Sequence, residues 1–482
     1  MSSSLTKSIQ KKLQPTSAWA IIIGFFLFLT LCFLVGAGRL LVPIFPLGSV
    51  AIALFLYFRY PLLYTGFTWW MWFIGPFIRR LIDYQSGHIT PGPWALTQML
   101  VTAVSFITVF KYLPKLLYRQ DSLPFIICLS SVFYAFLVAI VKGTSPTAIV
   151  LNFLAWATPI AFAIHIFVNW RDYPQYAQNL QRVFIWGVTV MGLYGIWQYL
   201  VAPQWDRFWL VSTGNVTYGH PVPLGIRVWS TMMIPQKFAV VMTVGLLLLF
   251  IMKGKMRYLA AGAGYLAFLL TRVRTAWLCW AIGLLILLPS LKAKFQVRVV
   301  ASILALCLIV LPLTAIEPFS SAIGSRFESF SDISENTSYQ ERLKGYNELI
   351  DAAASEFIGK GLGARLQSKN SKLAAFDNGF LVMVFTLGWL GTIPYLIGVL
   401  LSILRLLQSS IGSFDPFVSA SRSIAIATFV GQIGFNPVTM GEFAMSFWVF
   451  IGFGLAAQRY YRNQKRATAI AKEKELELAS SK

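Results

Sequence analysis

Apolar runs of about 20 residues recur along most of this chain, and they constrain its fold more than any other feature. A run of that length crosses the hydrocarbon core of a bilayer as a single helix. The composition agrees, because 57% of the 482 residues are hydrophobic and only 12% are charged, whereas soluble domains carry about 25% charged residues. We therefore predict an all-α integral membrane protein and exclude a soluble multidomain protein.

We expect about 14 transmembrane helices, or about 12 if two of the first three segments do not span. Whether each of those three segments spans the membrane is left open, because Arg79 and Arg80 would then lie on the outer side. The first run follows Lys7, Lys11 and Lys12 without a clear cleavage site, so we interpret it as a retained helix and not as a signal peptide. The predicted spans lie at roughly 19–37, 40–57, 62–78, 93–112, 124–141, 147–168, 183–201, 232–252, 257–271, 275–290, 299–316, 377–404, 421–436 and 441–458.

The net charge of +22 would suggest nucleic acid as the partner of a soluble protein. Here the cations lie mostly in short loops between apolar runs, which is the pattern that orients membrane helices, so we predict no nucleic-acid partner. The same rule puts both termini in the cytoplasm. The predicted regions are a cytoplasmic N-terminus (1–18), N-terminal transmembrane helices (19–182), transmembrane helices with a first outer loop at 202–231 (183–316), a large, partly helical extracytoplasmic loop (317–376), the last three spans (377–458) and a basic, charged cytoplasmic tail (459–482).

The cysteines and histidines do not indicate a metal site. All four cysteines lie inside apolar runs, where a small core residue is the expected role. The three histidines show no ligand spacing, so we predict neither a metal nor another cofactor. No internal repeat points to an inverted-repeat transporter.

Three arginines at the predicted outer side break the positive-inside rule. Arg272 and Arg274 lie in TRVRTAW, at the junction of two spans, where they form either a snorkelling pair or an anion site. Arg227 lies just before a span that begins outside. An interfacial anchor beside Trp229 is the alternative to anion binding there.

A fourth arginine, Arg342, lies in the large outer loop. Ser338 and Glu341 have the spacing of a capping box, so a helix should begin at Ser338. A cation in the first turn opposes the helix dipole, and an anionic ligand at the helix start would remove that conflict. A solvated arginine on a surface helix is the alternative. The predicted apolar face of this helix comprises Leu343, Tyr346, Ile350, Ala354 and Phe357.

Two further segments follow in the same loop. The glycines of GKGLGA at 359–364 favour a helix end and a turn over a phosphate cradle. Asp377 opens the next long span, and it is a candidate N-cap, a candidate general base, or both. It would share the outer side with Arg227, Arg274 and Arg342, and three arginines with one carboxylate suggest a polyanionic ligand and a base.

Several segments resemble the O-antigen ligase and polysaccharide polymerase superfamily. The resemblance covers roughly residues 183–405, and the order and spacing of the segments are more specific than any one of them. The segments are YGIWQY (194–199), IRVWSTMMIPQKFA (226–239), TRVRTAWLCWAIGLLILL (271–288), ERLKGYNELI (341–350) with GKGLG (359–363), and DNGFLVMVFTLGWLG (377–391).

Such proteins transfer a glycan, without a metal, from a polyprenyl-diphosphate donor (such as undecaprenyl diphosphate) to a hydroxyl of another glycan or of a lipid A core. The resemblance implies that Arg227, Arg274 and Arg342 bind the diphosphate and that Arg274 and Arg342 act in catalysis with Asp377. The family commonly has histidine at the position of Asp377, which leaves the base open. Secondary candidates are Arg272, Glu341, His220 and Asn378.

The function favoured by this resemblance is a glycosyltransferase of the bacterial cytoplasmic membrane, with its site on the extracytoplasmic face. Exopolysaccharide or O-antigen polymerase is preferred to lipopolysaccharide ligase because of Asp377. The implied partners are the lipid-linked oligosaccharide donor, a glycan or lipid-linked acceptor, membrane lipid and components of a polysaccharide export system. The alternatives are a small-anion transporter of the inorganic-carbon type and a flippase for lipid-linked sugars.

Overall fold

The computed structural model describes residues 15–88, 96–214, 216–291, 293–314, 317, 349–364, 378–408, 411, 414–435 and 441–480. Regular structure within these residues is helical, and an isolated antiparallel bridge joins Gly219 to Ile226. The helices are α1 (Thr16–Leu34), α2 (Gly38–Arg59), α3 (Pro61–Ser86), α4 (Thr97–Ala103), α5 (Phe106–Tyr118), α6 (Leu123–Val141), α7 (Pro146–Val168), α8 (Tyr173–Val201), α9 (Gln204–Thr213), α10 (Pro235–Leu249), α11 (Met256–Leu270), α12 (Arg274–Ser290), α13 (Ala293–Thr314), α14 (Gly379–Leu407), α15 (Pro416–Gly431) and α16 (Gly441–Ser480).

Local sequence signals set many of the helix starts. Proline occupies the first or second position of α3, α6, α7, α8, α10 and α15, where its missing N–H costs no helical hydrogen bond. Asp415 caps α15, because its Oδ1 accepts a hydrogen bond from the main-chain N–H of Phe417 at 3.0 Å.

Among the described residues, seven stretches are long and apolar enough to cross a membrane: α1, α2, α4 with α5, α6, α7, α8 and α14. Helices α10, α11 and α12 are apolar but shorter. Apolar side chains such as Leu31 on α1 are 61% exposed, as expected for a surface that faces lipid. The predicted all-α, multi-pass membrane fold is confirmed; the number of crossings, the sidedness and the identity of the membrane stay predictions.

The core consists of two large apolar clusters that meet on α16. One cluster joins α1–α3, α8 and α10–α12, and the other joins α5–α7 and α14. Helix α16 serves both, since Phe450 packs into the first cluster and Trp448 into the second. Beyond this buried stretch α16 continues as a helix to Ser480, and the side chains of residues 462–471 are exposed, so the charged tail is helical.

Contacts between helix termini define one end of the bundle, called here the arginine end. Helices α3, α8 and α11 finish there and α10, α12, α14 and α16 begin there. The contacts include Arg80 with Asp206, the main-chain N–H of Val228 with the Leu270 carbonyl at 3.2 Å and the N–H of Gly379 with the Gln432 carbonyl at 2.8 Å. The opposite end, called the tail end, is where α14 finishes and the exposed part of α16 begins.

The described part of the large loop corrects one prediction. Residues 349–354 are helical, and the buried side chains in this stretch are Leu349 and Ala353, whereas the predicted Ile350, Ala354 and Phe357 are exposed. The helix packs on Leu381, Val382 and Phe385 of α14, and this contact turns a different face inward. The predicted helix start at Ser338 lies outside the described residues.

Candidate functional site

A short extended segment brings Arg227 to the end of α11. The main-chain N–H of Arg227 donates to the Tyr218 carbonyl at 2.9 Å, and the next N–H, from Val228, donates to the Leu270 carbonyl. The bridge between Gly219 and Ile226 closes this loop on itself. The chain between α9 and α10 is therefore fixed along the turn that joins α11 to α12.

The Arg227 side chain extends this attachment. Its Nε donates to the Thr271 carbonyl at 3.2 Å, its Nη2 to the Arg272 carbonyl at 3.4 Å, and its Nη1 to the Thr217 carbonyl at 2.8 Å. Arg274 is the first residue of α12, two positions farther on. The structure thus brings Arg227, Arg272 and Arg274 together from two chain regions, and all three are half-buried.

The turn that carries Arg272 has a strained backbone. Arg272 has a φ of 55°, a left-handed conformation that costs a non-glycine residue about 1–2 kcal/mol. Thr271 holds the turn, because its hydroxyl donates to the Phe268 carbonyl at 2.7 Å and accepts from the N–H of Val273 at 3.2 Å. The Tyr199 hydroxyl lies within hydrogen-bonding reach of Arg272, while the Nε of Arg272 is buried and has no hydrogen-bond partner among the described residues.

A buried ion pair supports the other side of the same loop. Arg80, at the end of α3, has its Nη1 2.5 Å from Oδ1 of Asp206 on α9, and both side chains are fully buried. The other carboxylate oxygen accepts hydrogen bonds from Tyr194 and Gln198 of α8, each at 2.8 Å. Burial raises the pKa of the Asp206 carboxyl, and the Arg80 guanidinium opposes that shift.

Gln198 links this ion pair to the backbone of the arginine-bearing loop. Its Oε1 accepts hydrogen bonds from the N–H groups of Trp229 at 3.0 Å and Ser230 at 2.8 Å. The second guanidinium nitrogen of Arg80 donates to the Ser230 carbonyl at 2.5 Å. Ser230 has a φ of 52°, so these bonds hold a second left-handed residue three positions after Arg227.

The YGIWQY segment therefore acts as a support for the loop. Tyr194 and Gln198 bind Asp206, Gly195 packs against Val228, and the Tyr199 carbonyl accepts a hydrogen bond from the main-chain N–H of Leu224 at 2.7 Å. The pairing of Arg80 with Asp206 was not predicted from the sequence. The signal was present, because Arg79 and Arg80 were the cations that conflicted with the predicted sidedness.

A second buried charge pair lies at the arginine end and was also missed. Glu442, in the first turn of α16, is fully buried with its Oε2 3.2 Å from Nζ of Lys237 on α10. Within the described part of the chain, neither carboxylate oxygen of Glu442 accepts a hydrogen bond of good geometry, so its contact with Lys237 is an ion pair. The start of α16 packs closely on its neighbours, since Gly441 abuts the Trp72 ring. The pair ties the first turns of α10 and α16 together.

The GKGLG segment binds main-chain groups at the helix break in α14. Gly388 leaves helical geometry with a φ of 65° and a ψ of 174°, which frees main-chain groups on both sides of the break. The N–H groups of Lys360 and Gly361 donate to the carbonyls of Phe385 and Thr386, and two N–H groups beyond the break donate to Glu356 and Phe357 carbonyls. The N–H groups of Lys360 and Gly361 therefore bind protein carbonyls, which agrees with the predicted turn and not with a phosphate cradle.

The remaining predicted residues separate into three groups. Asn378 is the N-cap of α14, accepting from the N–H groups of Phe380 at 3.0 Å and Leu381 at 3.2 Å, so the cap expected of Asp377 is made by its neighbour. His220 is exposed in the loop before Arg227. Asp377, Arg342 and Glu341 lie outside the described residues.

The start of the large loop lies near the arginines. Glu317 interacts electrostatically with Tyr199, which itself contacts Arg272. Arg227, Arg272 and Arg274 form a half-buried surface, the Arg227–Arg274 surface. The chain therefore leaves α13 close to this surface. Its three cations and its setting beside the first turn of α12 suit the binding of an anion.

Within the residues that the structure describes, no group of three or more His, Cys, Asp and Glu side chains is arranged to hold a metal ion. A comparison of the chain with protein-family models, curated proteins and solved structures finds no match. The family resemblance therefore stays a prediction.

Proposed function

We propose that this membrane protein is a glycosyltransferase that moves a saccharide from a polyprenyl-diphosphate donor to a glycan hydroxyl on the extracytoplasmic face, acting as a polysaccharide polymerase or an O-antigen ligase. One observation carries the proposal: the Arg227 guanidinium donates to the carbonyls of Thr271 and Arg272. This contact fixes cations from two distant chain regions around one turn. A diphosphate is the anion such a surface suits best, because it accepts hydrogen bonds from several guanidinium groups at once.

The proposed reaction is an acid–base displacement at the anomeric carbon. The acceptor hydroxyl forms the new C–O bond and gives up its proton to a base, while the bond between the anomeric carbon and the diphosphate oxygen breaks. The diphosphate leaves with the electron pair, and Arg227 and Arg274 stabilise its growing negative charge. Cations held in place before the reaction are effective because little reorganisation accompanies the charge transfer.

Asp377 and Arg342 complete the proposal by resemblance, as base and as third phosphate ligand. A direct test of the base compares Asp377→Asn with Asp377→His. We expect the asparagine variant to lose transfer, because the amide cannot take a proton, and the histidine variant to retain a measurable part of it. Full activity in Asp377→Asn would assign the base elsewhere.

A small-anion transporter is the second candidate, and the break in α14 is the feature that favours it, since transporters often use discontinuous helices at the bilayer midplane. The position of the break argues against it. About 20 helical residues, or about 30 Å, separate Gly388 from the end of α14 at Leu407, so the break lies a full membrane thickness from that end. The main-chain groups at the break bind the 356–361 segment.

The experiment that separates these functions is complementation of a deletion strain. We expect cells lacking the protein to lose high-molecular-weight surface glycan and to accumulate single lipid-linked units. Arg227→Ala should fail to restore long chains, whereas Arg257→Ala, which removes one positive charge from the first turn of α11, should restore them. Normal glycan length in the Arg227→Ala strain would overturn the proposal, and loss of anion uptake with intact glycan would favour the transporter.

A further inference from the structure

A basic cavity lies at the tail end, away from the Arg227–Arg274 surface. It has a volume of about 880 Å³ and is formed where the end of α14, the exit of α16 from the core and the turn before α6 meet. The cations that line it are Arg405, Arg459, Arg462 and Lys465, and Asp121 also lines it. No residue predicted for the glycan-transfer site lies in this cavity.

The contacts of the lining arginines leave the cavity strongly positive. Nη1 of Arg405 donates to the main-chain carbonyl of Asp121 at 3.0 Å, which carries no net charge. The Arg459 guanidinium lies over the rings of Phe167 at 5.5 Å and Trp170 at 4.9 Å, where the ring faces hold it without neutralising it. Only Arg462 pairs with the Asp121 carboxylate among the contacts described here, at 3.4 Å with both side chains about half-exposed, a geometry in which ion pairs are weak.

The surroundings of the cavity are those of a lipid-facing surface. Leu404 and Leu407, on the last turns of the membrane-length helix α14, are 49% and 47% exposed, and Phe414 on the cavity wall is 51% exposed. Cations at the end of such a helix lie at the height of lipid phosphates, and apolar side chains beside them face the acyl chains. A small soluble anion would use the cations but not the apolar surface.

We propose that this tail-end cavity binds the headgroup of an anionic phospholipid, with its phosphate held by Arg405, Arg459 and Lys465 and its acyl chains lying along the exposed face of α14. The site is separate from the glycan-transfer site in position and in ligand. Its occupancy would fasten α14 to α16 and to the turn before α6, three elements that are distant in sequence. The inference stands or falls independently of the proposed transferase activity.

The test uses the full chain purified in an uncharged detergent, with binding measured by native mass spectrometry and by thermal shift. The probes are phosphatidylglycerol, phosphatidylcholine and inorganic phosphate, each at about 150 mM salt. The test variant is Arg459→Gln/Lys465→Gln. The matched control is Lys253→Gln/Lys255→Gln, which removes two exposed charges after α10 at the same end of the bundle.

We expect phosphatidylglycerol to bind and to raise the unfolding temperature of the wild type, and phosphatidylcholine and inorganic phosphate to have much weaker effects. The test variant should lose roughly ten- to thirtyfold in affinity for phosphatidylglycerol, since two cations near a lipid phosphate are removed. If the double variant does not fold, Lys465→Gln alone should lose about fivefold. Equal binding by test and control variants would overturn the proposal, and inorganic phosphate binding as tightly as the lipid would assign the cavity to a soluble anion instead.

Discussion

Arg80 and Arg227 lie at the same end of the bundle and differ in what surrounds them. Arg80 is fully buried, and its charge is balanced by the Asp206 carboxylate at 2.5 Å. Arg227 is half-buried, and its partners include the main-chain carbonyls of Thr217, Thr271 and Arg272. Both arginines hold the loop, but the Arg80 charge lies in a fully buried ion pair whereas Arg227 lies on a half-buried surface that a ligand can reach. We therefore expect substitution of Arg80 to act mainly on stability and substitutions on the Arg227–Arg274 surface mainly on activity.

The largest expected effect is on the buried pair. Arg80→Ala leaves the Asp206 carboxylate buried without its partner, so we expect a loss of about 3–5 kcal/mol in the free energy of unfolding. The free energy of unfolding is measured by reversible unfolding of the purified protein, or the change in unfolding temperature is measured by thermal unfolding. Arg80→Leu/Asp206→Leu removes both charges and should cost less than the sum of the single changes. Additive losses would mean that the two residues do not act as a pair.

The next effect concerns activity. Arg274→Ala removes a half-exposed cation from the Arg227–Arg274 surface, so we expect the rate of glycan transfer to fall about 10²- to 10³-fold. The unfolding temperature should change little, as is usual for partly exposed positions. Arg257→Ala is the control and should keep the wild-type rate. If the rate falls only in proportion to the amount of folded protein, Arg274 acts on stability as Arg80 does, and the contrast between the two arginines is wrong.

Gln198 connects the two arginines, so its substitution should affect both properties. Gln198→Leu leaves the N–H groups of Trp229 and Ser230 and one Asp206 oxygen without this partner, at a cost of about 1–3 kcal/mol. Because the loop also loses its register against α11, transfer should fall as well. Unfolding measurements together with rates at a temperature where the variant is fully folded would test this. An unchanged rate in the folded variant would show that loop position is set elsewhere.

The smallest effect separates charge from backbone strain. Arg272→Gly relieves the left-handed conformation at a φ of 55°, so stability should stay the same or rise by about 1 kcal/mol. Transfer should nevertheless decrease, because a cation is lost from the surface. Arg272→Asn, which also tolerates this conformation, should behave in the same way. A clear loss of stability in Arg272→Gly would assign the side chain a structural role like that of Arg80.

The sequence predicted the elements that depend on local pattern. The segments predicted at 257–271 and 275–290 correspond to α11 (Met256–Leu270) and α12 (Arg274–Ser290) within one residue at each end, because an apolar run inside a membrane protein has few alternatives to a helix, which satisfies its own main-chain hydrogen bonds. The placement of Arg227 beside Arg274 was expected from family resemblance and from a shared predicted side. No periodicity in the sequence encodes that contact.

Pairings across the fold were not predictable in this way. Arg80 and Asp206 are 126 residues apart, and nothing local marks them as partners. The N-cap of α14 fell on Asn378 and not Asp377, because both residue types cap helices well and the choice depends on where Gly379 meets Gln432. The buried face of the 349–354 helix was wrong for a similar reason, since α14 decides which side chains it covers.

The most direct test of the account is the affinity of the purified protein for a polyprenyl diphosphate, compared among wild type, Arg227→Ala, Arg274→Ala and Arg257→Ala. If the Arg227–Arg274 surface holds the diphosphate, the first two variants should each bind at least about tenfold more weakly, because each loses a charge-assisted contact. The Arg257→Ala control should match the wild type. Equal affinity in all four proteins would contradict the account.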